Sequence, residues 1–494
     1  MEPIILFLMT ATFGLLTAWI IKQLLIGRPK NLPPGPSWIQ IVSIAWTACR
    51  AGLNPLTVLS SWAKKYGEIV SFYVGTKTFV ILNSYPIIVE AFRHPDLQDR
   101  PQSRMREEVV GPDCKGVVLA SGLVWKEQRK FIHSVFRSLG VGKKSYEDTV
   151  LAEMTQLCRS IEEKRGSPID PSIFFMQAIS NIICSVVLGT QYKYDDADFQ
   201  QILKILNDNM RQSGAGGTLF FFPLPGISKI PFGKVKTMVD NFKTFQAFIA
   251  SQIESHEVNF DPDNPRDFVD QYLIKMSEIE DSNSPFTKMN LNSCIGDLFI
   301  AGSETTATTL TWCILFMMAY PEVQSRVQEE LYHVVGRERL PRLNDQGNLP
   351  YTCAVLMEVQ RKGVIAPLGV PHLASADTTI GGYTIPKGAT IVSNIFEVLN
   401  NEDLWKNPDA FEPERFLNQK GEVVKRDELI FFSTGRRVCL GEQLARMETF
   451  LGFTSLLQRF TFKKPDSSLT LSFDGVLGVT RNPQPYLTSA IPRY

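Results

Sequence analysis

Apolar positions recur at helical spacing along most of the chain. Val323, Val327 and Leu331 fall at i, i+4 and i+8 behind Pro321, with charged residues between them. That spacing puts one apolar stripe on a helix that begins at a proline. Leu444, Met447 and Leu451 repeat the pattern after Gly441 and predict a helix over 444–457. Strand-like runs are few and short: Ile69–Val74, Thr78–Leu82, Thr379–Ile385 and Thr390–Val392. The expected fold class is mostly α with small β-sheets (α+β). Cys294–Tyr320 is long and apolar, yet it carries Asp297, Glu304 and a run of threonines. Charges within a bilayer are costly, so this segment is expected to be a central buried helix and not a membrane span.

The first residues have a different pattern. Ile4–Ile21 is eighteen residues without a charge, and apolar character resumes at Leu24–Ile26 beyond Lys22. At about 1.5 Å per residue this approaches the roughly 30 Å of a hydrocarbon core. Glu2 precedes the run, Lys22, Arg28 and Lys30 follow it, and no small-residue cleavage site is apparent. The pattern predicts a retained transmembrane helix with a lumenal N-terminus and a cytosolic remainder. Pro33-Pro34-Gly35-Pro36 then reads as a stiff elbow. No later stretch reads as an interdomain linker and no repeat is apparent. The expected organisation is a membrane anchor with the start of its linker over 1–30 and one catalytic domain over 31–494.

Composition narrows the function. With 44% hydrophobic and 21% charged residues, the 494-residue chain can bury a large core. Lys and Arg together number 51, as do Asp and Glu, so the formal net charge is zero and gives no general pull toward nucleic acid. An electrostatic partner must therefore be met by a local patch. Neither a Walker-type loop nor a GxGxxG after a strand occurs. The eight cysteines, Cys49, Cys114, Cys158, Cys184, Cys294, Cys313, Cys353 and Cys439, are scattered, with no CxxC pair and no zinc spacing. Buried free thiols account for all but Cys439.

Cys439 lies in Phe432-Ser433-Thr434-Gly435-Arg436-Arg437-Val438-Cys439-Leu440-Gly441. A thiolate bound to iron must be ionised yet shielded, which calls for backbone donors and little side-chain bulk. Gly435 and Gly441 permit tight turns and close approach to a flat macrocycle. The helix that starts just after the cysteine directs its positive end at the sulfur. Arg437 can pair with a carboxylate in forked geometry.

This segment resembles the haem-binding signature FxxGxRxCxG of the cytochrome P-450 superfamily. Three further motifs follow the family's order. Ala301-Gly302-Ser303-Glu304-Thr305 looks like its oxygen-activation motif, Glu358-Val359-Gln360-Arg361 like its ExxR motif, and Phe411–Phe416 (FEPERF) like the segment supplying a partner arginine. WKEQR, GDLFIAG, PLGVPH and GEQLARME resemble the microsomal family-2 type of animals. The resemblance covers essentially the whole chain, anchor included.

It implies a cytochrome P-450 fold behind one N-terminal transmembrane helix, in the endoplasmic reticulum membrane. The implied cofactor is haem b, with Cys439 as the metal ligand and Arg100, Trp125, Arg129, His372, Phe432, Gly435, Arg437 and Gly441 around it. Thr305 and Glu304 would deliver protons during dioxygen activation, because a hydroxyl can donate, accept and hold water beside a relaying acid. Gly302 would leave room beside the helix. Glu358, Arg361 and Arg415 would form a structural triad whose rupture strands a buried charge, at about 3–5 kcal/mol.

Substrate contacts are implied in the 104–120 loop, around Ile202–Arg211, and at Leu298, Ala301, Gly302, Ala366, Val370 and Leu477. Most are apolar or small, which suits a lipophilic substrate such as a fatty acid, steroid or xenobiotic. Gly216–Ile230, with Phe220-Phe221-Phe222, reads either as a flap touching membrane lipid or as a buried loop. Lys362 departs from the family, whose members usually carry an apolar residue there. NADPH and O2 are the implied cosubstrates, with electrons from a flavoprotein reductase docked at Lys126, Lys130 and Arg436, near Arg137. The alternatives are a haem-thiolate isomerase or dehydratase, which would not need the acid–threonine pair, and a non-enzymatic haem sensor.

Overall fold

The computed structural model of the chain describes residues 31–37, 39–41, 43, 54–74, 77–102, 107, 108, 111, 115–212, 233–279, 281 and 284–494. The expected transmembrane segment 1–30 and the flap Gly216–Ile230 lie outside the described residues. Among those described, no helix is long and apolar enough to cross a membrane.

In chain order the helices are α1 Pro55–Tyr66, α2 Tyr85–Arg93, α3 Gly122–Ser138, α4 Lys144–Glu162, α5 Pro171–Val187, α6 Ala197–Gln212 and α7 Gly233–Val258. They continue with α8 Phe268–Ser277, α9 Lys288–Ala319, α10 Pro321–Val334, α11 Pro350–Gly363, α12 Ile395–Asn400 and α13 Glu442–Arg459. The strands are β1 Ile69–Val74, β2 Lys77–Leu82, β3 His372–Leu373, β4 Thr378–Ile380, β5 Tyr383–Ile385, β6 Thr390–Ser393, β7 Phe460–Lys463, β8 Val476–Leu477, β9 Arg481–Asn482 and β10 Ser489–Pro492.

The largest sheet has the order β1-β2-β6-β3. β1 and β2 form an antiparallel hairpin, β2 runs parallel to β6, and β3 closes the edge antiparallel, with His372 opposite Ile391. The Pro33–Pro36 elbow lies on β1: the Ser71 N–H donates to Pro34 O at 2.8 Å and its hydroxyl to Pro33 O. The run Thr379–Ile385, expected as one strand, is instead the antiparallel hairpin β4–β5. Gly381 and Gly382 adopt φ of +53° and +79°, the left-handed pair that a two-residue hairpin turn requires.

α9 spans 32 residues and is buried around most of its circumference, as expected for the Cys294–Tyr320 segment. Its start is capped by the Thr287 hydroxyl, which accepts from Asn290 N at 3.1 Å. Asp297, the charge that argued against a membrane span, accepts from Val117 and Val118 N–H, each at 2.8 Å. It thereby ties the 115–120 loop to the helix. α5, α11 and α13 pack against α9. α10 buries Val323, Val327 and Leu331 behind Pro321, and α13 buries Leu444, Met447 and Leu451. One apolar core gathers these helices, and a second lies beneath the sheet around Val80, Ile88, Phe92 and Trp405. The 432–441 loop joins them: Phe432 packs against the first core, while Gly435 lies against Phe92 of the second.

Candidate active site

The loop before α13 is closed by its own backbone. Cys439 N–H donates to Phe432 O at 3.0 Å, and Val438 N–H to Gly435 O at 3.2 Å. Ser433 and Gly435 adopt φ of +64° and +77°. A Cβ on Gly435 would collide with the carbonyl of Phe92, so the close contact with α2 requires glycine here. Gly441 is different. It sits at the N-cap of α13, and a Cβ there would meet no atom within 4 Å.

Cys439 is exposed, whereas Cys158, Cys184, Cys294 and Cys313 are buried. Its sulfur faces open space but is surrounded by protein at longer range, and that surrounding raises the thiol pKa, helped by Glu442. The Gly441 N–H, Arg129 and Arg446 pull the other way. Burial therefore disfavours the thiolate in the protein alone, and a metal ion at the sulfur would favour it.

Around the loop lies a group of buried and half-buried basic side chains. Arg437 donates from Nε to Gln98 O at 2.8 Å and from Nη2 to Ala120 O at 2.6 Å. Its guanidinium stacks on Trp125. Arg129, one turn along α3 from Trp125, donates to Val438 O at 2.6 Å. Arg100 donates to Val370 O and Pro371 O at 2.6 and 2.9 Å, while its buried Nε has no partner among the described residues. His372 stacks on Phe92 at 4.0 Å and bonds through Nδ1 to Leu97 O at 2.6 Å. Burial pushes Arg437 down to about 9, with Arg129 adding to the fall and Asp99 opposing it. Burial, then Arg437 and Arg129, push Arg100 well down. His372 is likewise driven well below the usual imidazole range by burial and by Arg100. Positive groups thus crowd one another beside Cys439.

α9 and α13 run parallel here: Thr306 bonds Glu448, and Gly452 faces Leu310. That stagger brings the first turn of α13 level with residues 300–304. Leu298, Ala301 and Thr305 share one face of α9, with Ala301 exposed and the other two half-buried on an otherwise buried helix. The Thr305 hydroxyl donates to Ala301 O at 2.7 Å, leaving its lone pairs for another donor. Gly302, expected to leave room beside the helix, instead receives Ile183 of α5: a Cβ would stand 2.5 Å from Ile183 Cδ1. Glu304 is buried and turned toward other partners. Its Oε1 accepts from Thr480 Oγ1 at 3.0 Å, Asn482 Nδ2 at 3.2 Å and Thr308 Oγ1 at 3.3 Å.

Glu358 and Arg361 meet in a two-pronged pair at 2.8 and 2.7 Å, both fully buried, and Arg415 Nε reaches Glu358 Oε1 at 3.1 Å. Arg361 also donates to the carbonyls of Leu399, Pro408 and Ala410. Lys362, where an apolar residue was expected, directs its ammonium to Pro408 O at 3.0 Å, and burial with Arg361 lowers it to about 8.

α11 ends at Val364, whose φ of +38° is unusual for a β-branched residue. Arg481 holds that turn, donating to Gly363 O at 2.6 Å, Lys362 O at 3.1 Å and, through its backbone, Ile365 O at 2.8 Å. Sequence reasoning passed over Arg481, Thr480 and Asn482 because nothing in a short polar hairpin says what it faces. Arg481 pairs with Leu477 across β8–β9, so Leu477 and Ala366 come to the same region. Val370 is exposed, 38%. On α3, Lys126 and Lys130 are exposed, and with Trp125, Arg129, His133 and Arg436 they line one groove. His133 also escaped sequence reasoning.

These residues fit a haem. A porphyrin brings two carboxylates, and the site offers crowded basic side chains with an orphaned Arg100 Nε. The open side of Gly441 and the exposed Cys439 sulfur suit a flat ligand with a metal at its centre.

Comparison with known proteins agrees: the chain belongs to the cytochrome P450 family, whose profile matches residues 33–490. It is similar to cytochrome P450 2J5 of Mus musculus, 37% identical over 492 residues, covering 99% of this chain and 97% of the relative. Cytochrome P450 2J2 of Homo sapiens is 38% identical over 496 residues, with 100% and 97% covered. Cytochrome P450 2U1 of Homo sapiens is 36% identical, with 95% and 90% covered. The chain is a monooxygenase of family-2 type that uses haem-thiolate iron, O2 and NADPH-derived electrons delivered through a redox partner.

Proposed function

We propose that this monooxygenase inserts one oxygen atom of O2 into a lipophilic substrate, by hydroxylation or epoxidation, with a long-chain fatty acid favoured. We place it on the endoplasmic reticulum membrane, with residues 1–30 as anchor, residues 31–494 as the catalytic domain, and an NADPH-dependent flavoprotein reductase as donor. The observation that carries this reading is the group of basic side chains, the buried Arg100 and Arg437, the half-buried Arg129 and the neutral His372, around the Cys439 loop.

When bound, the haem supplies dioxygen binding and the oxidising chemistry. The chain supplies the rest. Cys439 ligates the iron, its sulfur held by the Gly441 N–H at the positive end of α13. Arg100, Arg129, Arg437 and Trp125 hold the carboxylates. His372, with Nδ1–H given to Leu97 O, joins them as a donor only once a nearby carboxylate has raised its pKa. Thr305 and Glu304 hold and move protons on α9. Leu298, Ala301, Ala366, Val370 and Leu477 present an apolar wall to the substrate, and Phe432 packs beside the thiolate loop.

The test is a spectral binding screen of fatty acids, steroids and xenobiotics, followed by product analysis with reductase and NADPH. Oxygenated fatty acid is the expected product. Thr305→Ala should retain haem but divert NADPH toward peroxide or water; unchanged coupling would remove the role given to Thr305. For the anchor, protein lacking residues 1–30 should float less with liposomes than the full chain, and equal flotation would contradict it.

A further inference from the structure

Glu304 and Thr305 are neighbours in sequence but face different surroundings. The Thr305 hydroxyl turns back onto Ala301 O. The Glu304 carboxylate turns toward the β8–β9 hairpin, where a set of polar groups receives it. The Thr308 hydroxyl is 2.9 Å from Asn482 Oδ1, and Asn482 Nδ2 donates to Thr480 Oγ1 at 2.9 Å and to Glu304 Oε1 at 3.2 Å. Thr480 donates to the same Oε1 at 3.0 Å. All of these side chains are buried. Beside them is a small cavity lined by Ser172, Met176, Asn207, Thr308, Thr311 and Asn482, with Glu304 at its wall. It is polar enough to hold water.

Three titratable groups described nearby, Asp170, Tyr486 and Arg481, have other partners. Asp170 accepts from Ser172 N–H and Oγ–H, and the Tyr486 hydroxyl donates to Thr311 O. The guanidinium of Arg481 lies on the carbonyls of Lys362, Gly363 and Phe473. Thr480, Asn482 and Thr308 are neutral donors to the Glu304 carboxylate, and donors to the charged form favour it.

We propose that Thr480 and Asn482 are positioning residues that clamp the Glu304 carboxylate at the polar cavity, away from the Thr305 hydroxyl. Glu304 then takes a proton from the cavity side, and the proton reaches Thr305 only when the clamp releases or water bridges the two. This rests on the proton-relay reading of Glu304. Hydrogen bonds of about 3.0–3.3 Å are weak enough to exchange, so the clamp holds Glu304 without trapping it.

The test uses the full-length holoenzyme. Two quantities are measured against pH: the fraction of NADPH appearing as product, and the infrared C=O stretch of protonated Glu304, assigned by its loss in Glu304→Gln. Thr480→Val removes one donor at constant volume and should raise both midpoints by about one unit. Thr480→Ser should restore them, and Asn482→Ala should shift them the same way as Thr480→Val. If Glu304→Gln leaves coupling and its pH profile unchanged, the relay reading fails. If Glu304→Gln abolishes the titration while Thr480→Val and Asn482→Ala leave both midpoints in place, the clamp alone is wrong. Thr480→Val keeps the hairpin testable should Asn482→Ala not fold.

Discussion

The guanidinium of Arg437 lies 3.8 Å from the ring centre of Trp125, and both side chains are buried. The stack, with bonds to Gln98 O and Ala120 O, fixes the plane in which the guanidinium meets an anion. A lysine would keep the charge and lose both the fork and the stack. Arg437→Lys should therefore lose haem to excess apomyoglobin roughly tenfold faster, equivalent to about 1.5 kcal/mol for a charge-assisted hydrogen bond. An unchanged rate would show that Arg437 does not hold the cofactor.

The groove on α3 makes the second prediction. Lys126 and Lys130 are exposed and lie beside Arg436, while Trp125 is buried and Arg129 half-buried at the wall of the same groove. Reversing both lysines to Glu should slow reductase-driven turnover and flatten its dependence on salt, since steering is screened within about 8–10 Å. Turnover driven by added peroxide bypasses the reductase and should be nearly unchanged. An equal fall in both would mean that the lysines support folding or haem packing.

Glu448 on α13 is buried at 1% exposure, its Oε1 lacks a partner among the described residues, and burial pushes its pKa from 4.5 to about 8. A buried acid with a raised folded pKa binds more protons in the folded state than in the unfolded one. Stability should therefore fall as pH climbs from 4.5 to about 8. Glu448→Gln should leave the melting temperature near the parental value at pH 5 and raise it by a few degrees at pH 8 to 9, as seen by calorimetry. Parallel curves at all pH values would show that Glu448 does not titrate in this window.

Much of this arrangement was legible in the sequence where motif and period coincide. The α10 stripe follows from spacing, the buried α9 from the charges within an apolar run, and the grouping of Glu358, Arg361 and Arg415 from the resemblance of their motifs. Contacts between distant segments were less legible. Gly302 reads as space, but whether Ile183 or a ligand fills it depends on how α5 crosses α9, 119 positions apart by residue number. Gly435 likewise meets Phe92 across the loop–α2 contact. The hairpin at Gly381–Gly382 was readable from its glycine pair and was obscured by the apolar run around it. Arg481 had no signal, because capping the end of α11 is visible only once β9 is placed beside it.

The central claim is that Cys439 ligates a haem iron as thiolate. Reduced protein under carbon monoxide should show the red-shifted Soret band of thiolate-ligated haem, and Cys439→Ser should abolish it with loss of haem or change of ligand. A Cys439→Ser protein that keeps the same band and full activity would contradict the assignment.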